Sequence, residues 1–164
     1  MSYQSDEEFF ANLPATRGAA GGLIRSGTGD VLLVRRVYAP EEPWGIPGGM
    51  MEAEESPLTA CRREIAEELG VTAHVLALLV VDWVPAQPPR TTACQWLFRV
   101  DTDSTDFRLQ PDELSGWKWV PPAELPEHLP ARVARRMLAA VAADDDRNGP
   151  VYLEHGHAVL HGLT

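Results

Sequence analysis

Glu64, Glu67 and Glu68 stand close together in the run Arg63-Glu64-Ile65-Ala66-Glu67-Glu68-Leu69-Gly70-Val71. At about 100° per residue, a helix places these three acids within an arc of roughly 100°, so their carboxylates point the same way. Like charges at that spacing repel and raise one another's pKa, an arrangement that makes sense when a cation sits among them. Every donor on offer is an oxygen, so the expected ion is a hard one, Mg²⁺ or alternatively Mn²⁺. Just upstream, Trp44-Gly45-Ile46-Pro47-Gly48-Gly49 reads as a tight turn. Its paired glycines let backbone approach a metal or a phosphate without interference from a Cβ, and a backbone carbonyl is a candidate further ligand.

The elements that must hold these acids are legible from their ends. Ser56 is placed to cap a helix, Pro57 suits its first position, and Gly70 suits the left-handed residue that ends it, which predicts a helix from about 57 to 69. Leu58, Cys61, Ile65 and Leu69 recur at spacings of three and four and predict an apolar stripe packed on a sheet. One face of the helix anchors it and the neighbouring face carries acid.

Gly49, five residues, Glu55, seven residues and then Arg63 to Val71 resemble the Nudix box at every fixed position, over 23 of the 164 residues. The resemblance implies an α/β fold, a Nudix-type α/β/α sandwich with a mixed sheet and a loop-helix-loop catalytic element. The implied activity is metal-dependent hydrolysis of a nucleoside diphosphate linked to another moiety. By the same carry-over, Glu64, Glu67 and Glu68 hold the divalent ion, with Glu68 the first choice and the Gly48 carbonyl a further ligand. Glu55 and Arg63 pair to orient the loop on the helix, and Gly49 and Gly70 complete the support. The general base lies either in the box or in a later acidic loop. Gln110-Pro111-Asp112-Glu113-Leu114, ahead of Trp117-Lys118-Trp119-Val120, resembles that loop, and Glu113 is preferred to Asp112. The plainer reading of Glu113 is a solvated loop acid, and that of the box glutamates a charged solvent face.

Composition is compatible with this. The chain is expected to be a single domain over 1–164, with 1–14 as an arm and 150–164 as a strand or arm; 45% of its residues are hydrophobic. Fourteen Lys and Arg against 24 Asp and Glu give a net charge of −10. That balance disfavours gripping a nucleic acid polymer along a broad surface and points to a small anionic nucleotide-type substrate that arrives with its metal. No apolar run approaches about 18 residues and no leader pattern is present, so neither membrane insertion nor secretion is expected. Cys61 and Cys94 read as reduced core thiols, which fits a cytoplasmic protein.

Strands are expected at 18–24, 31–35, 71–84 and 91–100, with Ser26 to Asp30 closing a hairpin and Trp96 in the core. A short helix over 121–125 and a longer one over 130–143 should follow, the latter with Val133, Met137, Leu138 and Val141 inward and Asp144 to Pro150 breaking the pattern. Arg35 and Arg36 leave the second strand near the box and are candidates for substrate phosphates. Trp44, Trp83 and Arg90 border loops expected to rim the cleft, where a Trp stacks on a base or an Arg meets phosphate. Partial burial and surface ion pairing are the plainer alternatives. His155, His157 and His161 match no zinc spacing, so 151–164 is read as an edge strand or an arm contributed to a homodimer rather than a metal site.

Two alternatives to a pyrophosphohydrolase share the fold. A sensor that binds nucleotide without turnover is disfavoured by the intact acidic set and by the absence of a basic helix-turn-helix segment. A prenyl diphosphate isomerase needs an early-loop cysteine, and Cys61 lies on the helix. Substrate identity depends on loops outside the box. Family members acting on dinucleoside polyphosphates often carry a Tyr after the box, and here no Tyr lies between Tyr38 and Tyr152; a Pro at 85, 88 or 89 resembles the ADP-ribose subgroup, though a Pro-rich turn explains it equally well. Nucleoside triphosphates and nucleotide sugars stay open.

Overall fold

The computed structural model describes residues 5–160. Ser5 starts a short helix, α1 (Asp6–Ala11), through a reciprocal capping box with Glu8, and every residue of α1 is exposed. Next come β1 (Arg17–Leu23), β2 (Val31–Arg36), β3 (Trp44–Gly45), β4 (Gly48–Met50) and α2 (Pro57–Leu69). The second half holds β5 (Ala73–Val84), β6 (Ala93–Thr102), β7 (Leu114–Val120), a 3₁₀ turn (Pro122–Glu124), α3 (Leu125–His128), α4 (Ala131–Asp146), β8 (Val151–Glu154) and β9 (His157–Ala158).

The strands divide into a six-stranded sheet, β4-β1-β6-β5-β8-β9, and a three-stranded sheet, β3-β2-β7. The larger one is mixed, with β1 parallel to β6 and β5 parallel to β8 while the remaining neighbours run antiparallel. Gly29, with positive φ, closes the turn expected between β1 and β2, and Leu32 donates to the Ile24 carbonyl at 3.0 Å. Beyond that turn the two strands part, β1 joining one sheet and β2 the other.

Two buried clusters flank the sheets. Ala20, Leu32, Val34, Cys61, Ile65, Leu69 and Val100 form the α2 side, and Leu23, Val31, Leu33, Leu97, Met137, Ala140 and Leu153 form the α4 side. Alternate residues of β2 thus serve opposite cores, and the architecture is an α/β sandwich of helix, sheet and helix. Trp96 is half-buried and packs on the α2-side cluster.

Three expectations need correction. Leu58 is 39% exposed; it lies in the first turn of α2, and Ala60 and Glu68 join Cys61, Ile65 and Leu69 on the buried face instead. Leu138 is 37% exposed, its inward place taken by the small residues Ala134 and Ala140 beside Met137. The helix does not end at 143: α4 continues through Asp146 and stops at Arg147, in the left-handed conformation, within the expected break. Carboxylates at a helix C-terminus oppose its dipole; here Arg25 bonds both Asp144 and Asp145, and Arg99 reaches Asp144 at 3.3 Å, which offsets that penalty.

Candidate functional site

Ser56 accepts the Thr59 amide at 3.2 Å, Pro57 opens α2, and Gly70 at φ 66° closes it by donating to the Ala66 carbonyl at 3.0 Å. This fixes the rotation of α2, which carries Glu68 inward: the side chain is 2% exposed, and its Oε2 accepts the Gly48 amide at 2.8 Å. Burial pushes the Glu68 carboxyl up to about 8, with Glu64 and Glu113 adding to the rise and the Gly48 amide opposing it. Glu64 is raised for the same first reason, burial, and is held down by Arg63.

Arg63 ties the loop to the helix. Its Nε and Nη2 grip both oxygens of Glu55 at 2.8 Å, and Nη2 also reaches the Met50 carbonyl at 3.1 Å. Nη1 donates to Glu64 at 2.9 Å and to Glu67 at 3.1 Å. The bidentate pair, with the Glu52 amide, holds the Glu55 carboxyl down at about 2.

Paired glycines make room for this. A Cβ on Gly49 would lie 2.5 Å from the Glu64 carboxylate. Gly48 sits at φ 137°, where a Cβ would come within 2.4 Å of the Ala20 carbonyl oxygen. Gly48→Ala should therefore lower stability by at least about 2 kcal/mol, because the new methyl meets backbone that cannot move aside and the left-handed conformation adds strain. A urea melt checks this, and a loss within experimental error would mean that the turn re-forms freely.

The late acidic loop reaches the same place. Arg108 and Gln110 donate to the Leu69 and Glu68 carbonyls at 2.8 and 3.2 Å, docking the loop on the end of α2, and the Glu113 carbonyl accepts the Val37 amide at 2.8 Å. Half-buried, Glu113 lies close enough to disfavour ionisation of Glu64, Glu68 and Tyr38. Among the described residues, no three acidic, cysteine or histidine side chains stand gathered as a metal cluster. Glu67, 55% exposed, is turned to Arg63, and Gly48 contributes its amide to Glu68. The inner pair does fit a hard cation, since two oxygen donors, Glu68 buried and Glu64 half-buried, resist ionisation until a positive charge stands beside them.

A cleft of about 440 Å³ opens beside the box. Its floor comes from one face of the larger sheet, with Arg17 and Ala19 on β1 and Ala93 and Gln95 on β6; Tyr38 and Met50 border it on the box side, and Arg90 and Arg132 also line it. Of the expected substrate-binding residues, only Arg90 is there.

Arg35 is exposed and outside the cleft. A register shift between Arg35 and Arg36 turns the latter into the β2–β3 connection, where its Nη2 donates to the Glu42 and Trp44 carbonyls at 2.6 and 3.2 Å. Trp44 packs on the α4-side core, lies under the Lys118 ammonium at 4.1 Å and borders a different hollow with Glu127 to Pro130. Trp83, 38% exposed on β5, does not line the cleft. Sequence reading missed Arg17, Tyr38, Gln95 and Arg132. The available signal was Arg17-Gly18-Ala19-Ala20-Gly21-Gly22, a strand of small residues that leaves space above the sheet.

Among the C-terminal histidines, His155 takes φ 53° in a tight turn with Gly156, and His157 is exposed on β9. His161 lies outside the described residues.

A NUDIX domain family model matches residues 15–141. An RNA pyrophosphohydrolase of Roseobacter denitrificans is 29% identical over 139 residues, covering 74% of this chain and 86% of that protein. A MutT-like protein of Streptomyces ambofaciens is 27% identical over 157 residues, 94% of each chain. The crystal structure of a MutT NUDIX hydrolase from Burkholderia pseudomallei superposes with a TM-score of 0.65 at 28% identity, over 77% of this chain and 97% of that one. The chain belongs to the Nudix family, and by class it is a pyrophosphohydrolase.

Proposed function

We propose that this chain hydrolyses the pyrophosphate linkage of a small nucleotide-type substrate, a nucleoside diphosphate joined to another group, with Mg²⁺ or Mn²⁺ held by Glu64, Glu67 and Glu68. The observation that carries this reading is the buried Glu68 carboxylate, hydrogen-bonded to the Gly48 amide beside Glu64 and Glu113, next to an arginine-lined cleft. A bound divalent ion would supply charge neutralisation and a more acidic water. The chain's own residues do the rest. Arg63 and Glu55 keep the loop in register with the helix, Glu68 and Glu64 present oxygens, and Glu113 accepts the proton of the attacking water. The cleft orients what lies beyond the linkage.

Glu113→Gln should lower kcat by about a hundredfold, because a water activated without its base loses the proton-transfer contribution. Steady-state rates with Mg²⁺ check this, and an unchanged rate would return the base to the box.

The substrate is best approached by a panel of nucleoside triphosphates, ADP-ribose, sugar nucleotides and a 5′-triphosphorylated RNA end. The name of the Roseobacter relative supports including the last, and its charge is compatible if only the end enters the cleft, since the net charge of −10 opposes only a grip along the polymer. Pro85 on the cleft wall keeps ADP-ribose on the panel. Turnover of at least one member, abolished by chelator, is expected. Tight binding with no turnover of any of them would favour a nucleotide sensor. No helix among the described residues is long and apolar enough to cross a membrane, and free Cys61 and Cys94 support a reducing, cytoplasmic setting.

A further inference from the structure

The cleft's charge is opposite to that of the chain. Acidic residues outnumber basic ones by 24 to 14, yet four arginines and no Asp or Glu line the cleft. Arg136 is neutralised by Asp82 at 2.7 Å. Among the described residues the other three have no close acidic partner. The Arg17 guanidinium donates, among those residues, only to Thr91, at 2.7 Å to its carbonyl and 3.2 Å to its hydroxyl, both neutral acceptors. Arg132 has among them only a long contact of 3.6 Å to Glu42, with Arg132 half-buried and Glu42 exposed. Arg90 has no ion-pair or side-chain hydrogen-bond partner among the described residues. Like charges gathered on one rim repel, and each alone is easily solvated, so their convergence calls for an anion.

That anion is not the pyrophosphate at the box. Gly21 pairs with Gly48, whose amide binds Glu68, while Arg17 lies four residues back along β1 and pairs with Ala93. At about 3.3 Å per residue, Arg17 is set back roughly 13 Å along the strand from the level of Gly48, with Met50 opposite Ala19 and Met51 bonded to the Gly18 carbonyl in between. Between them the floor is small and apolar at Ala19, with Gln95 beside it to offer an amide. A nucleoside is the part of the substrate that would occupy that interval.

The geometry points to a second anion subsite at Arg17, Arg90 and Arg132, which takes a phosphate on the side of the substrate's nucleoside away from the scissile linkage. This rests on the pyrophosphohydrolase reading of the box and names the substrate class, a nucleoside 5′-polyphosphate that also carries a 3′-side phosphate. That phosphate has two possible sources, a free 3′-phosphate or the first phosphodiester of a chain.

The test separates subsite from reaction. Calorimetric titration of the full chain with adenosine 3′,5′-bisphosphate should give binding about tenfold tighter than adenosine 5′-monophosphate, as expected for one charge-assisted contact set. The Arg90→Gln/Arg132→Gln variant, altered only at surface side chains, should reduce that ratio to near one, and so should high salt. Equal affinities in the unaltered chain overturn the subsite, as does a ratio untouched by the variant. Kinetics with Mg²⁺ then compare a nucleoside triphosphate, its 3′-phosphorylated form and a 5′-triphosphorylated dinucleotide. A higher kcat/KM for either modified form, lost in the variant, supports the subsite, and whichever leads identifies the source. Hydrolysis of all three at one rate overturns it. If nothing is hydrolysed while the binding ratio holds, the subsite stands and the hydrolase reading fails.

Discussion

Glu68→Gln should lower turnover by about a hundredfold or more and at the same time raise the melting temperature of the metal-free protein. Loss of supporting groups around a bound metal already costs about 10–100-fold, and a direct oxygen donor should cost no less. The gain in stability has a separate cause. Glu68 is buried, its ionised form is disfavoured by that burial and by Glu64 and Glu113, and the one hydrogen bond its side chain makes among the described residues is one that a glutamine oxygen can also accept. At pH 9 the neutral amide should be worth about 2 kcal/mol, or roughly 4–8 °C for a domain of this size. Calorimetry with chelator, beside steady-state rates with Mg²⁺, reads both effects. A variant that loses activity and also loses stability would mean that Glu68 is a structural acid.

The pH dependence has a definite sign. In the folded chain Glu68 titrates near 8, against a reference of 4.5, so the folded state holds the extra proton between those values. Metal-free stability from this group is therefore greatest at the acid end of that window and falls as pH rises through 8. Glu55 acts in the opposite direction. Held at about 2, it contributes stability present above 4.5 and lost as pH falls toward 2. A cation needs the ionised Glu68, so apparent Mg²⁺ affinity should climb by up to about tenfold per pH unit between 6 and 8 and then level off. Glu68→Gln should flatten that climb.

What could be read in advance was local. The acids, their helix, its cap at Ser56 and its stop at Gly70 all lie within one short stretch, where spacing alone dictates which side chains share a face. The Glu55–Arg63 clamp and the approach of Glu113 followed from the family resemblance, and the geometry gives both a physical cause. The cleft was not legible because its walls come from β1, β6 and α4, brought together by the parallel pairing of Arg17 with Ala93, a contact that no periodicity announces. Arg35, Arg36 and Trp44 lie outside the cleft for a related reason: nearness to the box along the chain says nothing about which side of a strand a residue takes, and the register shift at Arg36 decides it. The extension of α4 through three aspartates depended on Arg25 and Arg99, more than 40 residues away in sequence.

Asp82→Ala should be the most damaging single change outside the box, costing about 3–5 kcal/mol. Asp82 is fully buried; one oxygen accepts Arg136 at 2.7 Å and the other the Gly156 amide at 3.0 Å. It thereby joins β5, α4 and the turn between β8 and β9, where Arg135 adds a bond to the His155 carbonyl at 2.9 Å. Removing the carboxylate leaves a buried guanidinium and a buried amide without partners, and such an orphaned charge costs far more than the intact pair contributes. Asp82→Asn, which retains an acceptor, should cost less. The double change Asp82→Leu/Arg136→Met should recover most of the loss by replacing the pair with apolar volume. The consequence reaches the cleft, because Arg132 precedes Arg136 by one helical turn and shares its face. Any Asp82 variant that folds should therefore bind phosphorylated ligands more weakly at the arginine rim, while the box carboxylates keep their places. Urea melts and faster hydrogen exchange at Gly156 would report the broken tie, and a cost below about 1 kcal/mol for Asp82→Ala would show that Arg136 escapes to solvent and that the pair does not position α4.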